Sequence, residues 1–292
     1  MGRQRVVDEM RRRDVDVLVL GREGNARAVS GAHRLFLAGE RAFAPGCVVV
    51  AETAAVHVLS VTDFGVPSDA NLYPPSWNPA VVVERVAGLP GVASARRVGV
   101  DGLTPLFETL LAGALPEAEL FDGESLMRTA RRIKSPDEVD QIRGAAVVAA
   151  STIAVALDGA ARGLDDNGVK AVAMEAMAAE GTTTAAFEPL IARNGDSVTV
   201  AIGVLRDGWE ADVTRTVPRR DRPDELDAAI ARCRAGAAVA EIGARVHGVG
   251  CGYEVLTPDE RLEPGMVLSV SVAGGGDTVL VTDGDPDVLT LT

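Results

Sequence analysis

Residues 131–157 read RRIKSPDEVDQIRGAAVVAASTIAVAL, and this stretch sets the organisation of the whole chain. Ser135 is placed to cap a helix, Pro136 to occupy its first position, and Glu138 to complete an S-x-x-E capping box. The small apolar run behind it carries the helix to about Leu157. On either side the pattern of elements differs, so a boundary between two domains falls near 125–134. We expect an N-terminal domain over 1–125 and a second over 126–292.

Upstream, short β-branched runs alternate with helical ones. Residues 3–13 read as a helix and 15–20 as a short buried strand. CVVVAE (47–52) and VHVLSV (56–61) are strand-like. Asn78-Pro79 opens a helical run through Val86. RRVGVDG (96–102) reads as a strand, 105–114 as a helix and AELFDG (118–123) as a strand. That alternation is the mark of an α/β domain. The loop NLYPPSWNP (71–79) is rich in proline and aromatic residues. Downstream, a second alanine-rich helix is expected over 166–179. Strands are expected over 187–193, 198–205 and 210–217, a helix over 223–236, and strands over 266–273, 278–282 and 287–291.

Composition narrows the function classes. With 292 residues and 47% hydrophobic content, the chain can bury a large core without disulfides. The three cysteines, Cys47, Cys233 and Cys251, are scattered and form neither a disulfide framework nor a paired-Cys zinc motif. A reduced, cytoplasmic protein is the expectation. Continuous apolar runs are short, and the charged N-terminal stretch lacks a signal-peptide pattern, so no membrane association is expected. A net charge of −13 argues against nucleic-acid binding. Arg11–Arg13 reads as the solvated end of a helix.

Further motifs lie in the second half: FEP (187–189), DVTRT (212–216), HGVGCG (247–252), LEPGMVLSV (262–270), DTVLVT (277–282) and GDPDVLT (284–290). Together with RRIKSPDEVDQIR, their order resembles the creatinase/prolidase/methionine-aminopeptidase family, which has the pita-bread fold. The resemblance covers most of 126–292, and the first 125 residues look like the smaller N-terminal domain of the creatinase and prolidase branch. It implies an α/β (α+β) chain: a small creatinase-like domain followed by a shortened pita-bread domain.

The peptidases of this family hold two metal ions with two Asp, one His and two Glu. Carried over position by position, only Asp212 remains. The first aspartate falls on Ala201, eleven residues earlier. The histidine falls on Cys251, and the two glutamates fall on Ser271 and Gly276. Ala, Ser and Gly cannot neutralise or bridge two cations. Asp207 and Glu210 lie close in sequence, and Glu210 shares a strand face with Asp212, but no metal site and no cofactor are expected. Creatinase-type chemistry needs a histidine between FEP and the first-aspartate strand, and none lies between His57 and His247.

His247 matches the family's first motif histidine, which contacts substrate. If HGVGCG is one continuous strand, Cys251 lies on the face of His247, and the two with Asp212 form the residue set of a metal-independent enzyme on a small amide, amidine or acid substrate. Arg215, expected to pair with Asp212 or another carboxylate, and Glu254 are the candidate ligand-binding residues, with Thr214 beside them. Gly248, Gly250 and Gly252 permit close approach of backbone. His33 and His57 read as structural. The leading expectation is a degenerate Xaa-Pro-peptidase-like protein, a non-catalytic subunit or small-molecule-binding module. It would form a homodimer or a heteromer with an intact pita-bread relative.

Overall fold

A computed structural model describes residues 2–32, 45–59, 70–74, 76 and 78–291. The chain divides into two compact units, Met1–Arg131 and Arg132–Thr292. The first contains α1 (Gly2–Arg12), β1 (Val17–Leu20), α2 (Glu23–Ser30), β2 (Cys47–Val50), β3 (Ala55–Val58), β4 (Asn71–Leu72), α3 (Pro79–Ala87), β5 (Arg97–Asp101), α4 (Pro105–Ala114) and β6 (Glu119–Asp122), with α5 (Glu124–Arg132) at its end. Its sheet has the order β4-β3-β2-β1-β5-β6. β1 pairs parallel with β5 and antiparallel with β2.

β1 explains why its sequence runs apolar without a break. Leu18 and Leu20 face one core with α1, α2 and α5, while Val17 and Val19 face another with α3 and α4. A strand covered on both faces needs no polar alternation. The α/β reading of this half therefore holds. Neither α2 nor α5, of only eight and nine residues, is among the helices expected above. Leu126, Met127 and Ala130 of α5 belong to the first unit's core, and that unit runs through Arg131. His57 is buried on β3 with its Nδ1 3.0 Å from the Tyr73 hydroxyl, a structural placement. His33, Ser60 and Val61, and Pro75 and Trp77 of the proline-rich loop, lie outside the described residues.

The second unit begins with α6 (Pro136–Ala161), α7 (Asp166–Ala179), β7 (Ala185–Asn194), β8 (Ser197–Arg206), β9 (Trp209–Val217) and α8 (Asp224–Ala231). It continues through β10 (Arg245–Gly250), β11 (Gly252–Glu254), β12 (Val267–Val272), β13 (Gly275–Leu280) and β14 (Asp287–Val288). The capping box forms as read: Ser135 accepts from the Glu138 N–H, and the Glu138 carboxylate accepts from the Ser135 N–H at 2.8 Å. By length and composition α6 could cross a membrane, but 61% of its apolar window is buried within the fold, against α7, β8 and β9. The sheet order is β11-β10-β12-β13-β9-β8-β7, with β14 on β13.

Alternation along these strands sorts the residues onto two faces. Val198, Val200, Ile202, Val204 and Val213 pack beneath α6 and α7. Leu268, Val270, Val279 and Val281 pack with α8. The residues between them (Ala201, Gly203, Asp212 and Thr214, then Ser269, Ser271, Gly276 and Thr278) look the other way, onto what we call the open face. At one end, Val249, Val267 and Leu289 close against the first turns of α6.

Candidate functional site

The register places side by side most of the positions that the resemblance assigns to metal ligands. On β8 and β9, Ala201 stands opposite Thr214 and Gly203 opposite Asp212. Thr214 stands opposite Gly276 on β13, and Gly276 opposite Ser271 on β12. His247 stands opposite Ser269. Ala201, Asp212, Ser271 and Gly276, four of the five positions the resemblance assigns to metal ligands, therefore share the open face with His247, yet one carboxylate and one imidazole are all these residues offer a metal. Among the described residues no three His, Cys, Asp or Glu side chains gather as a metal would need. Asp207 lies at the turn joining β8 and β9, and Glu210 supplies no third ligand to Asp212 and His247. The donor set does not fit a dinuclear centre.

Asp212 is buried and well supported. Its N–H donates to the Thr278 hydroxyl at 2.9 Å, and that hydroxyl in turn donates to the Asp212 carbonyl at 2.9 Å. Its Oδ2 lies 3.8 Å from His247 Nε2, too far for a hydrogen bond but close for electrostatic coupling. Burial pushes the Asp212 carboxyl above the usual carboxylate range, against the pull of His247 and of hydrogen bonds from Ser269 and Thr278. Burial likewise pushes the His247 imidazole down, against the pull of Asp212. The imidazole is thus neutral at pH 7 and stacks on Tyr253, ring centroids 4.6 Å apart. Tyr253 is itself exposed.

Cys251 is not where a continuous strand would put it. Gly250 pairs with Gly252, so the chain reverses at Cys251, and β10 and β11 form a tight hairpin with that buried residue at its tip. Gly252 takes φ 111°, a conformation that favours glycine. The shared face of His247 and Cys251, read from spacing alone, is removed by this turn.

Glu254 and Arg215 both point away from Asp212. A Cβ on Gly250 would lie 2.6 Å from Glu254 Oε1 and 3.1 Å from Lys134 Cε. The hairpin glycines leave room for Glu254 and its partner, Lys134, at 2.6 Å, with side chains only 9% and 3% exposed. The lysine of IKSP is thus tied to the HGVGCG hairpin on the side opposite His247. Arg215 alternates with Asp212 along β9 and reaches Asp277 at 2.8 Å and the Gly276 carbonyl at 2.8 Å. Asp277 is fully buried and also accepts from Thr290 at 2.7 Å. Arg215 therefore pairs with a carboxylate beneath the sheet, and that carboxylate is Asp277. Reasoning from sequence missed Lys134, Ser269, Thr278 and Tyr253. Of these only Lys134 had a signal, its place inside the IKSP motif.

Comparison with known proteins places this architecture. Neither a family model nor a curated protein matches the sequence. Solved structures match the whole chain. The prolidase from Pyrococcus furiosus superposes with a TM-score of 0.77 at 18% identity, over 99% of each chain. The Xaa-Pro dipeptidase from Bacillus anthracis gives 0.75 at 19%, over 100% of this chain and 97% of the other. The N-terminal domain of FACT complex subunit SPT16 from chickpea gives 0.66 at 12%, over 99% and 95%. The chain has the two-part, pita-bread fold of the prolidases and Xaa-Pro dipeptidases.

Proposed function

We propose that this chain is a metal-independent, catalytically degenerate protein of the prolidase fold, and that its open face binds a small polar ligand without hydrolysing it. The observation that carries the reading is that, of the five positions the resemblance assigns to metal ligands, Ala201, Asp212, Ser271 and Gly276 share one face with a single carboxylate among them, while Cys251 sits at the tip of the hairpin. Its role is that of a non-catalytic subunit, paired with a second copy or with an intact pita-bread relative. The SPT16 domain supports this, since there a chain of the same fold is part of a complex subunit. Three buried cysteines outside any disulfide fit a reducing cytoplasm.

The test is elemental analysis after dialysis, followed by assay on Xaa-Pro dipeptides with and without added Mn²⁺. We expect under one weakly held equivalent of manganese, cobalt or zinc, and no cleavage. Two tightly held metals, or cleavage abolished by Asp212→Asn, would refute the reading. Co-expression with an intact relative should yield a stable heteromer if the chain is a subunit of one.

The 3.8 Å approach of His247 to Asp212 favours one second reading, a metal-free enzyme whose base is His247. In that case the isolated protein turns over a small amide or acid, and His247→Ala lowers the rate by about 10²-fold or more.

A further inference from the structure

We propose that the open face carries an oxyanion subsite, formed by Arg245, Ser271 and Thr214 around Gly276, which takes the carboxylate or phosphate of a small ligand. The proposal rests on the ligand-binding reading above and names the chemistry of what is bound.

Three groups converge there without internal partners. Arg245 stands directly opposite Ser271 in the β10–β12 ladder, so both side chains lie on the face of His247. Thr214 stands opposite Gly276, which stands opposite Ser271. A Cβ on Gly276 would lie 3.2 Å from both the Thr214 hydroxyl and the Ser271 Cβ. Gly276 thus lies between two hydroxyl-bearing residues, with Arg245 one strand beyond Ser271 on the same face. Among the described residues, the Arg245 guanidinium and the Thr214 and Ser271 hydroxyls make no hydrogen bond or ion pair. The neighbouring hydroxyls are engaged: Thr278 with Asp212, and Thr199 with Thr216.

Many arginines of the second unit pair with carboxylates, among them Arg132 with Glu260, Arg143 with Asp287, Arg215 with Asp277 and Arg234 with Asp285; Arg232 and Arg261 bond backbone carbonyls instead, and Arg245 stands on the face of His247. In a chain of net charge −13, an arginine left without a carboxylate on the face of a candidate site is available for an anion from outside. The Arg245 charge adds to burial in holding the His247 imidazole below its usual range. The opposing charges on this face are Asp212, one alternation along β9 from Thr214, whose burial disfavours its ionised form, and Glu210, one alternation further on. The same negative net charge repels anions in general, so any anion that binds does so through local contacts.

The experiment titrates acetate, inorganic phosphate and, as an uncharged comparison, acetamide into isotope-labelled protein at fixed pH, reading the imidazole signals of the three histidines. We expect a saturable shift confined to His247 with at least one anion. Arg245→Gln should weaken it at least tenfold, Arg245→Lys should restore part of it, and Ser271→Glu should abolish it by returning a carboxylate to the spot. Preference for acetate assigns a carboxylate ligand, and preference for phosphate assigns a phosphorylated one; either supports the subsite. A His247 shift with acetamide but with neither anion overturns the subsite and leaves the ligand-binding reading standing. No shift with any of the three overturns the subsite too. Anion binding in a protein that proves to turn over a substrate upholds the subsite and refutes the non-catalytic reading alone.

Discussion

Replacing Lys134 with methionine tests how the hairpin that carries His247 and Tyr253 is held. Lys134 Nζ lies 2.6 Å from Glu254 Oε2, and the two side chains are 3% and 9% exposed. Nζ also donates to the Arg132 carbonyl at 3.1 Å. Solvent screens such a pair little, and the methionine preserves most of the packed stem while leaving the Glu254 carboxylate buried beside Gly248 and Gly250. Breaking a buried pair from one side costs about 3–5 kcal/mol. For a unit of this size that corresponds to a fall in Tm of roughly 6–20 °C. Scanning calorimetry of Lys134→Met should show the loss in the transition of the second unit. The double variant Lys134→Met/Glu254→Leu should recover most of it, because apolar replacement of a whole buried pair is often close to neutral. A single variant that melts within about 2 °C of the parent, on the scale of a surface pair, would refute the reasoning. So would a double variant no more stable than the single.

Arg215→Met should destabilise the second unit by about 1–3 kcal/mol, because it leaves the buried Asp277 carboxylate with only the Thr290 hydroxyl and Arg222 at 3.8 Å. It should leave ligand-induced shifts of His247 unchanged, since Arg215 lies on the other face; urea titration and imidazole NMR check the two halves. Gly250→Ala should cost roughly 1–3 kcal/mol, since its Cβ would meet Glu254 Oε1 at 2.6 Å. In the first unit, burial raises the Asp101 carboxyl from 3.8 to about 6, despite hydrogen bonds from Asn25 and the Gly21 and Arg22 N–H groups. A carboxyl raised on folding adds stability that is complete below pH 3.8 and lost as pH rises through 6. Stability of that unit should therefore fall by roughly 3 kcal/mol between pH 4 and pH 7. Asp101→Asn should remove this slope, and a slope that persists in the variant would assign it to another group.

Much of this fold was legible because its signals are local. Ser135, Pro136 and Glu138 fix the start of α6 within four residues of one another, and apolar periodicity fixes α7 and the strands β8 and β9. The uninterrupted Val17–Leu20 run announced a short buried strand, and the packing showed it to be covered on both faces. That Ala201, Ser271 and Gly276 carry no carboxylate or imidazole needs no structure, since residue identity alone decides it in any conformation. Tertiary structure alone decided the rest. Whether HGVGCG runs straight or folds back at Cys251 depends on which strand β10 pairs with, and glycines permit both. The partners of Arg215 and Glu254 lie 62 and 120 residues away in sequence, and a charge in a sequence does not say which opposite charge it will meet. Short helices such as α2 and α5 draw their stability from the core they cover rather than from their own propensity. That is why the end of the first unit had to be read from the packing of Leu126, Met127 and Ala130.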